Sequence, residues 1–246
     1  MKNVKWCILA VALLVLITCA DENNKANQLV SVAIEAAGGE RFDRTMIEFE
    51  FRGRQYGYKK KDGHFEYVRM FYDSTDLVRD VLTNDGFYRE VNGERVAIPD
   101  TMAAKYTRSV NSVIYFALLP YGLNDAAVNK SYLGEKFINK VLYHKIKVTF
   151  DEEGGGEDHQ DTFVYWINAE THQVDYLAYD YITDGGGQRF RKAYHERFVK
   201  GIRFVAYINY EPASSIPLED MDEALEKGEL KELSRIELEN ISVQPL

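Results

Sequence analysis

The sequence predicts a mainly β protein of the α+β class, in which about a dozen strands form a single strongly curved antiparallel sheet or half-barrel. Apolar and polar residues alternate with a period of two through most of the 246 residues. Asp-Gly and Asn-Gly pairs, which are typical of hairpin turns, separate many of the alternating segments. Two apolar stretches instead have helical spacing, and we expect an N-terminal helix and a central apolar helix against the concave face of the sheet.

The first residues have the features of an export signal. Two lysines precede an uninterrupted apolar run at residues 8–17, which is too short to span a bilayer. Residues 16–19, Leu-Ile-Thr-Cys, resemble the lipobox of bacterial lipoproteins, although threonine stands where a smaller residue is usual. This resemblance implies cleavage before Cys19 and acylation of its thiol, for example with palmitate. We therefore predict a lipoprotein signal peptide over residues 1–18 and a polar tether with lipidated Cys19 over residues 19–25.

Composition supports the same interpretation. The chain has two cysteines, and because Cys7 falls inside the predicted signal peptide, Cys19 has no partner for a disulfide. The formal net charge of −9 disfavours a nucleic-acid partner. We expect a lipid-anchored protein of the cell envelope, on the outer membrane with a periplasmic or surface face. The membrane is its partner through the anchor, a lipid or other amphiphile is a possible ligand, and no cofactor is predicted.

Residues 26–246 are predicted to form one half-barrel domain, which begins with a helix. Its apolar positions are Leu29, Val32, Ala33 and Ala36, and a Gly-Gly pair ends it after residue 37. The period then changes to two, and hairpin turns separate the strands that follow. Strands are predicted over residues 47–51, 56–59, 65–71, 77–82, 87–91 and 94–98.

A central helix is predicted over residues 100–119, with Asp100 as its N-cap and Pro120 as its stop. Because its second half is apolar nearly all round, we expect it to fill the hollow of the curved sheet. The period of two then resumes, with a polar superficial helix over residues 218–233 before the last strand. The later strands are predicted over residues 143–150, 162–168, 174–181, 190–199, 202–210 and 236–243.

Several motifs resemble known families. Residues 163–172, Phe-Val-Tyr-Trp-Ile-Asn-Ala-Glu-Thr-His, together with the lipobox and the early helix, are similar to the half-barrel lipoprotein carriers of the Gram-negative envelope. That resemblance implies a curved sheet that binds lipid or acyl chains. Residues 109–116, 154–159 and 183–191 resemble an uncharacterised Bacteroidota lipoprotein family, a domain of unknown function. The second resemblance covers most of residues 26–211 and implies no established activity.

The leading functional hypothesis places a ligand on the concave face. Aromatic side chains at strand spacing there can line an apolar pocket with hydroxyl groups at its mouth, which suits an acyl chain or another amphiphile. A packed core without a ligand is the alternative. Arg189 and Arg191 are added as polar candidates. The aromatic ligand-binding candidates are Phe49, Phe51, Tyr56, Tyr58, Phe65, Tyr67, Tyr165, Tyr179 and Tyr181.

A second hypothesis is an enzyme, a hydrolase or lyase, at the rim formed by the glycine triplets at residues 154–156 and 185–187. In an antiparallel meander these two loops lie at the same end of the sheet. The candidates are His159, Asp158 and Asp184 as acid–base groups and Arg189 for an anion. No standard catalytic motif is present, the acidic spacing matches no EF-hand, and no metal site is predicted. A surface-assembly or adhesion subunit without a small ligand is the third hypothesis.

Overall fold

The computed structural model describes residues 24–156 and 158–246, so the predicted signal peptide and Cys19 lie outside the described residues. Fourteen strands are formed within this part of the chain. They are β1 (Thr45–Phe51), β2 (Arg54–Lys61), β3 (His64–Asp73), β4 (Asp76–Thr83), β5 (Gly86–Val91), β6 (Glu94–Val96), β7 (Val128–Ile138), β8 (Val141–Phe150), β9 (Thr162–Asn168), β10 (Val174–Tyr181), β11 (Gly187–Val199), β12 (Ile202–Pro212), β13 (Leu230–Ile236) and β14 (Glu239–Pro245).

The strands form two seven-stranded antiparallel sheets. The first sheet has the order β14-β1-β2-β3-β4-β5-β6, and the second has the order β13-β12-β11-β10-β9-β8-β7. Residues 237 and 238 alone separate β13 from β14, so the chain passes directly from one sheet to the other at this corner. The mainly β class with curved antiparallel sheets is confirmed. The strands that were predicted to form a single sheet are divided between two sheets at this corner, because β13 pairs with β12 whereas β14 pairs with β1.

Helix α1 is helical from residue 24 to residue 37. It packs on the second sheet through Ala26, Val30 and Ala33, all at most 1% exposed, and Ala37 reaches the core of the first sheet. The buried stripe differs from the predicted one, since Val32 is 43% exposed. Three of the four buried positions are alanines, whose small side chains let the helix backbone approach the sheet closely.

Helix α2 (Asp100–Ala117) packs against β2, β3, β4 and β5 of the first sheet. Pro99, rather than the predicted Asp100, is its N-cap residue. Tyr115 and Phe116 near its end pack against the core of the second sheet, so the helix connects the two sheets. We call the space between the inner faces of the two sheets, which α1 and α2 occupy, the hollow. No helix of the described residues is long and apolar enough to cross a membrane.

The outer face of the second sheet is also covered. A 3-10 turn (Leu218–Asp220) and the short helix α3 (Met221–Glu226) pack there over Trp166, which is 0% exposed. The Trp166 Nε1–H donates a hydrogen bond of 3.1 Å to Asp222. The helix predicted over residues 218–233 is therefore too long, because the chain joins the sheet as β13 from Leu230 onwards.

Candidate functional site

The inner face of the first sheet carries six of the predicted ligand-binding residues. Phe49, Tyr56 and Tyr58 are at most 4% exposed, whereas the others are partly buried. The rings form stacked contacts between neighbouring strands, with centroids 5.6 Å apart for Phe49–Tyr56 and for Tyr58–Tyr67. Burial raises the pKa of the Tyr58 and Tyr67 hydroxyls, so both stay protonated at neutral pH. The remaining partly buried members of this set are Phe51 and Phe65.

The inner face of the second sheet carries the other three aromatic candidates. Tyr165 is 0% exposed and Tyr179 is 9% exposed, while Tyr181 is partly buried. The hydroxyl groups of Tyr165 and Tyr115 share a hydrogen bond, and the Phe116 and Tyr179 rings lie 5.2 Å apart. Burial is the largest influence on the Tyr165 pKa and raises it. The end of α2 therefore seals this face with aromatic rings, and the hollow is occupied by helix side chains in this structure.

A cluster of charged residues lies beneath the first half of α2. Asp80 of β4 is 0% exposed and faces Arg69 of β3 and Arg89 of β5 directly across the ladder. Its carboxylate accepts hydrogen bonds of 3.0 Å from the Arg69 Nε–H and 2.6 Å from the Arg89 Nε–H. The Arg89 guanidinium lies 3.7 Å from the ring centroid of Tyr106 of α2, and Arg69 donates a hydrogen bond of 2.6 Å to Ser109. One carboxylate thus balances two guanidinium groups.

Sequence reasoning did not identify this cluster. Arg69 occupies a concave-face position in the alternating run that contains Phe65 and Tyr67, and a charge at such a position is the signal that was available. Asp80 and Arg89 have the same inward parity on the next two strands. The three charges can be recognised as one cluster only when the pairing register of three strands is known.

Arg191 lies on the inner face of the second sheet and is 8% exposed. Its guanidinium stacks over the Phe116 ring at 3.7 Å, and its Nη2–H donates a hydrogen bond of 2.8 Å to the Tyr179 hydroxyl. Arg189, two residues earlier on β11, is nearer the edge of the sheet. It donates a hydrogen bond of 2.7 Å to the Gln188 carbonyl and lies 3.8 Å from a Glu211 carboxylate oxygen. The two arginines therefore differ in their surroundings.

The two glycine-triplet loops lie at the same end of the second sheet. The backbone of Ile182, which follows β10, donates a hydrogen bond to Asp161, and the Thr162 N–H donates one of 3.0 Å to Asp180. Burial is the main cause of a raised Asp161 pKa, and the neighbouring Asp158 and Asp180 carboxylates raise it further, to about 6. This rim therefore holds one carboxyl group that titrates near neutral pH.

The other predicted rim residues have separate contacts. His159 Nδ1 lies 3.1 Å from the carbonyl oxygen of Gly156 in its own loop, and Asp158 lies 4.0 Å from the Nε of Arg108 of α2. Asp184 belongs to the 3-10 turn Thr183–Gly185, and its side chain is outside the described part of the structure. Within residues 24–156 and 158–246, no group of acidic, histidine or cysteine side chains has the arrangement needed to hold a metal ion.

The fold and the hollow define a mainly β protein in which two antiparallel sheets present aromatic inner faces to two helices. The chain belongs to a family of unknown function, DUF6503, whose sequence profile matches residues 5–238. None of the curated proteins compared with the chain matches it.

Three solved structures illustrate what the chain is similar to. A LolA superfamily protein from Nitrosomonas europaea is 10% identical, with 90% of this chain and 94% of that chain covered and a TM-score of 0.49. A domain named for outer-membrane lipoprotein sorting, from Vibrio parahaemolyticus, is 6% identical over 87% and 93% of the two chains, with a TM-score of 0.43. The lipoprotein LppX of Mycobacterium tuberculosis is 12% identical over 64% and 86%, with a TM-score of 0.26.

Proposed function

We propose that this protein is a lipid-anchored lipoprotein of the bacterial envelope that binds or carries a hydrophobic ligand, a lipid or an acyl chain, in the hollow. The lipobox-like residues before Cys19 support the anchor, and the aromatic inner faces of both sheets support the ligand class. Rings with hydroxyl groups among them offer apolar area together with a few polar contacts, the composition expected of an amphiphile-binding site.

The main observation behind this proposal is that few side chains of α2 are fully buried. The helix lies in the hollow, yet among its 18 residues only Val110 and Ile114 are fully buried. An element with few buried apolar side chains separates from the rest of a protein at a lower free energy than core strands do. Displacement of α2 uncovers rings that it contacts on both sheets, including Phe87 and Tyr179. We therefore propose that α2 is a movable cover and that the ligand replaces its side chains.

Lipid content and lipid uptake test the proposal directly. We expect the purified full chain to retain lipid that native mass spectrometry detects, and to take up a fluorescent fatty acid with saturation. Hydrogen exchange of the α2 amides should change on uptake, whereas that of β9 should not. A chain that carries no lipid and shows no saturable uptake contradicts the proposal. A stable protein partner or a chemical turnover in its place would favour the assembly or the rim-enzyme hypothesis.

A matched pair of tyrosine variants locates the binding surface. Tyr181 is partly buried on the inner face, whereas Tyr72 is 71% exposed at the end of β3. Loss of one aromatic contact from a ligand site costs about 1 kcal/mol or more, so Tyr181→Ala should weaken fatty-acid binding about fivefold or more. Tyr72→Ala should leave the affinity unchanged. Equal affinities for both variants would place the ligand outside the hollow.

A further inference from the structure

Among the residues that the structure describes, one buried charge has no opposite charge beside it. Five charged side chains are buried among the described residues, namely Arg69, Asp80, Arg191, Arg203 and Asp222. Four of them form ion pairs, Arg69 with Asp80, Arg203 with Asp175 and Glu196, and Asp222 with Lys145. Within the described part of the chain, no carboxylate lies within the 4.0 Å ion-pair distance of Arg191.

The groups around Arg191 are neutral. Phe116 and Tyr179 contact its guanidinium, and Asn209 lies directly opposite it on β12. Burial raises the pKa of the nearby Tyr207 hydroxyl and keeps it protonated. The Nε–H of Arg191 and the side-chain oxygen of Asn209 are both buried without a hydrogen-bond partner. Arg191 therefore keeps a donor that no described protein atom uses.

Burial of the Arg191 guanidinium group without an opposite charge is costly unless a bound ligand supplies that charge. Arginine side chains keep their positive charge inside proteins, whereas buried lysines and histidines can lose theirs. The desolvation of an unpaired buried charge is costly, and a cation–π contact returns only part of that cost. An oxyanion that accepts from the guanidinium supplies both the missing charge and the missing hydrogen bond.

We propose that Arg191 binds the anionic head group of the ligand, a carboxylate or a phosphate, while the acyl chain lies along the aromatic inner face. This inference rests on the proposed function, since it names the class of amphiphile that the hollow takes. Phe116 of α2 covers the guanidinium at 3.7 Å, so displacement of α2 also opens this position. Arg189 is less suited to the role because Glu211 lies 3.8 Å from it.

The test compares charged and neutral ligands with the same chain. The full chain, Arg191→Met and Lys192→Met are titrated with oleate, oleoyl lysophosphatidate and methyl oleate, and separately with acetate and inorganic phosphate. Lys192 is the matched control, because it carries the same charge on the next residue, whose side chain has the opposite parity on β11. The acetate and phosphate arms separate a lipid head group from a free anion.

We expect the wild type to bind oleate or oleoyl lysophosphatidate about 10- to 100-fold more tightly than methyl oleate, the ratio that hydrogen bonds to a charged group produce. Arg191→Met should lose this preference and keep methyl oleate binding, whereas Lys192→Met should keep both. The melting temperature of ligand-free Arg191→Met should equal or exceed that of the wild type, because the variant removes an unpaired buried charge.

The possible failures are distinguishable. If the wild type binds oleate and methyl oleate equally, the head-group assignment is wrong while the proposed function stands. If it binds none of the lipids, the proposed function itself fails. If the protein binds acetate or phosphate saturably and none of the lipids, the ligand of Arg191 is a free anion and not a lipid head group. A melting temperature several degrees lower for Arg191→Met, with the anion preference intact, makes the residue structural and overturns the assignment.

Discussion

The buried arginines of the hollow differ in what lies beside them. Asp80 holds Arg69 and Arg89 in a cross-strand cluster, which fixes the pairing of β3, β4 and β5 at one position. Breaking such a cluster by removing the shared carboxylate is costly, about 3–5 kcal/mol, because the buried Arg69 and the partly buried Arg89 lose their opposite charge. Arg191 has no carboxylate of this kind among the described residues. The Asp80 cluster therefore stabilises the fold, whereas the guanidinium group of Arg191 keeps a hydrogen-bond donor that a ligand could use.

The raised pKa of Asp161 predicts a pH-dependent stability. Its folded-state pKa of about 6 lies above the ordinary aspartate pKa of 3.8, so between these two pH values the folded state binds more protons than the unfolded state. Stability therefore falls as the pH rises through this interval and stays lower above it. Asp161→Asn removes the penalty, and we expect it to raise the free energy of unfolding at about pH 7 by roughly 1 kcal/mol, after allowance for solvent screening.

Urea unfolding near pH 4 and near pH 7 measures this effect. The gain from Asp161→Asn should be small at the lower pH, where the wild-type carboxyl group is protonated in the folded state. Asp85→Asn, at the exposed tip of the β4–β5 hairpin, is the control and should show no such difference. A variant that loses stability at the higher pH would show that the ionised carboxylate is favourable in the folded protein.

At the scale of elements, hairpin chemistry was the most reliable information in the sequence. Asp62-Gly63 has φ values of 51° and 80°, and Asn92-Gly93 has 52° and 86°, the paired positive values that a type I′ turn requires. The strands beside these turns lie where alternation predicts them. Local backbone preference and hydrophobic period agree in these segments, so no distant contact was needed to predict them.

Prediction was less successful where distant contacts override local pattern. Strand β7 escaped prediction because its side-chain polarity does not follow its alternating burial: Lys130 and Lys136 lie at half-buried positions, whereas Phe137 is 62% exposed. The polar run over residues 218–233 has helical spacing, but α3 ends before Gly228, with φ of 72°, and pairing with β12 makes the remainder a strand. The alternation of side chains along each strand correctly placed the aromatic candidates on the inner faces. That no described carboxylate lies beside Arg191 could not be predicted, because it depends on contacts across three elements.

The covering segment on the outer face of the second sheet supplies an element-scale prediction. Asp222 of α3 is 0% exposed, accepts the Trp166 Nε1–H at 3.1 Å and lies 3.3 Å from the Lys145 ammonium group. Asp222→Ala leaves the Trp166 Nε1–H without its acceptor and the Lys145 ammonium group, which still donates to the Glu219 carbonyl, without its opposite charge. We expect a loss of about 3 kcal/mol in the free energy of unfolding. Tryptophan emission should also shift to longer wavelength as water reaches Trp166.

The control for this change is Asp220→Ala, two residues earlier in the same segment, where the side chain is exposed. Chemical unfolding followed by fluorescence measures both quantities in one experiment, although Trp6 also contributes to the emission if the predicted signal peptide is retained. An Asp222→Ala protein with wild-type stability would mean that α3 is held by apolar packing alone. The apolar contacts of Leu218 and Met221 would then be the ones to test.

At the scale of the whole molecule, charge is distributed unevenly. The chain carries a formal net charge of −9, yet Arg69, Arg89 and Arg191 lie on the inner faces of the sheets, with Asp80 as the carboxylate bound to the first two. The acidic side chains elsewhere disfavour polyanions at the surface. The proposed function therefore places the anionic head group of an amphiphile inside the hollow and not on the exterior.

Cys19 connects this hollow to a membrane in the proposed function, and the chain offers its own control. Each acyl CH₂ group buried in a bilayer contributes about 0.8 kcal/mol, so a palmitate on Cys19 anchors the mature protein, and a second acyl signal makes that anchoring stable. We expect cells that express the full chain to transfer labelled palmitate to it. Cys19→Ser should abolish the label, and Cys7→Ser should retain it, because Cys7 lies in the segment that we predict to be removed on maturation. Gel fluorography of the labelled protein and the mass of its mature N-terminal peptide measure both effects.

A labelled Cys19→Ser protein, or an unlabelled wild type, would contradict the proposed anchor. The proposed ligand site in the hollow would then depend on the lipid-binding measurements alone.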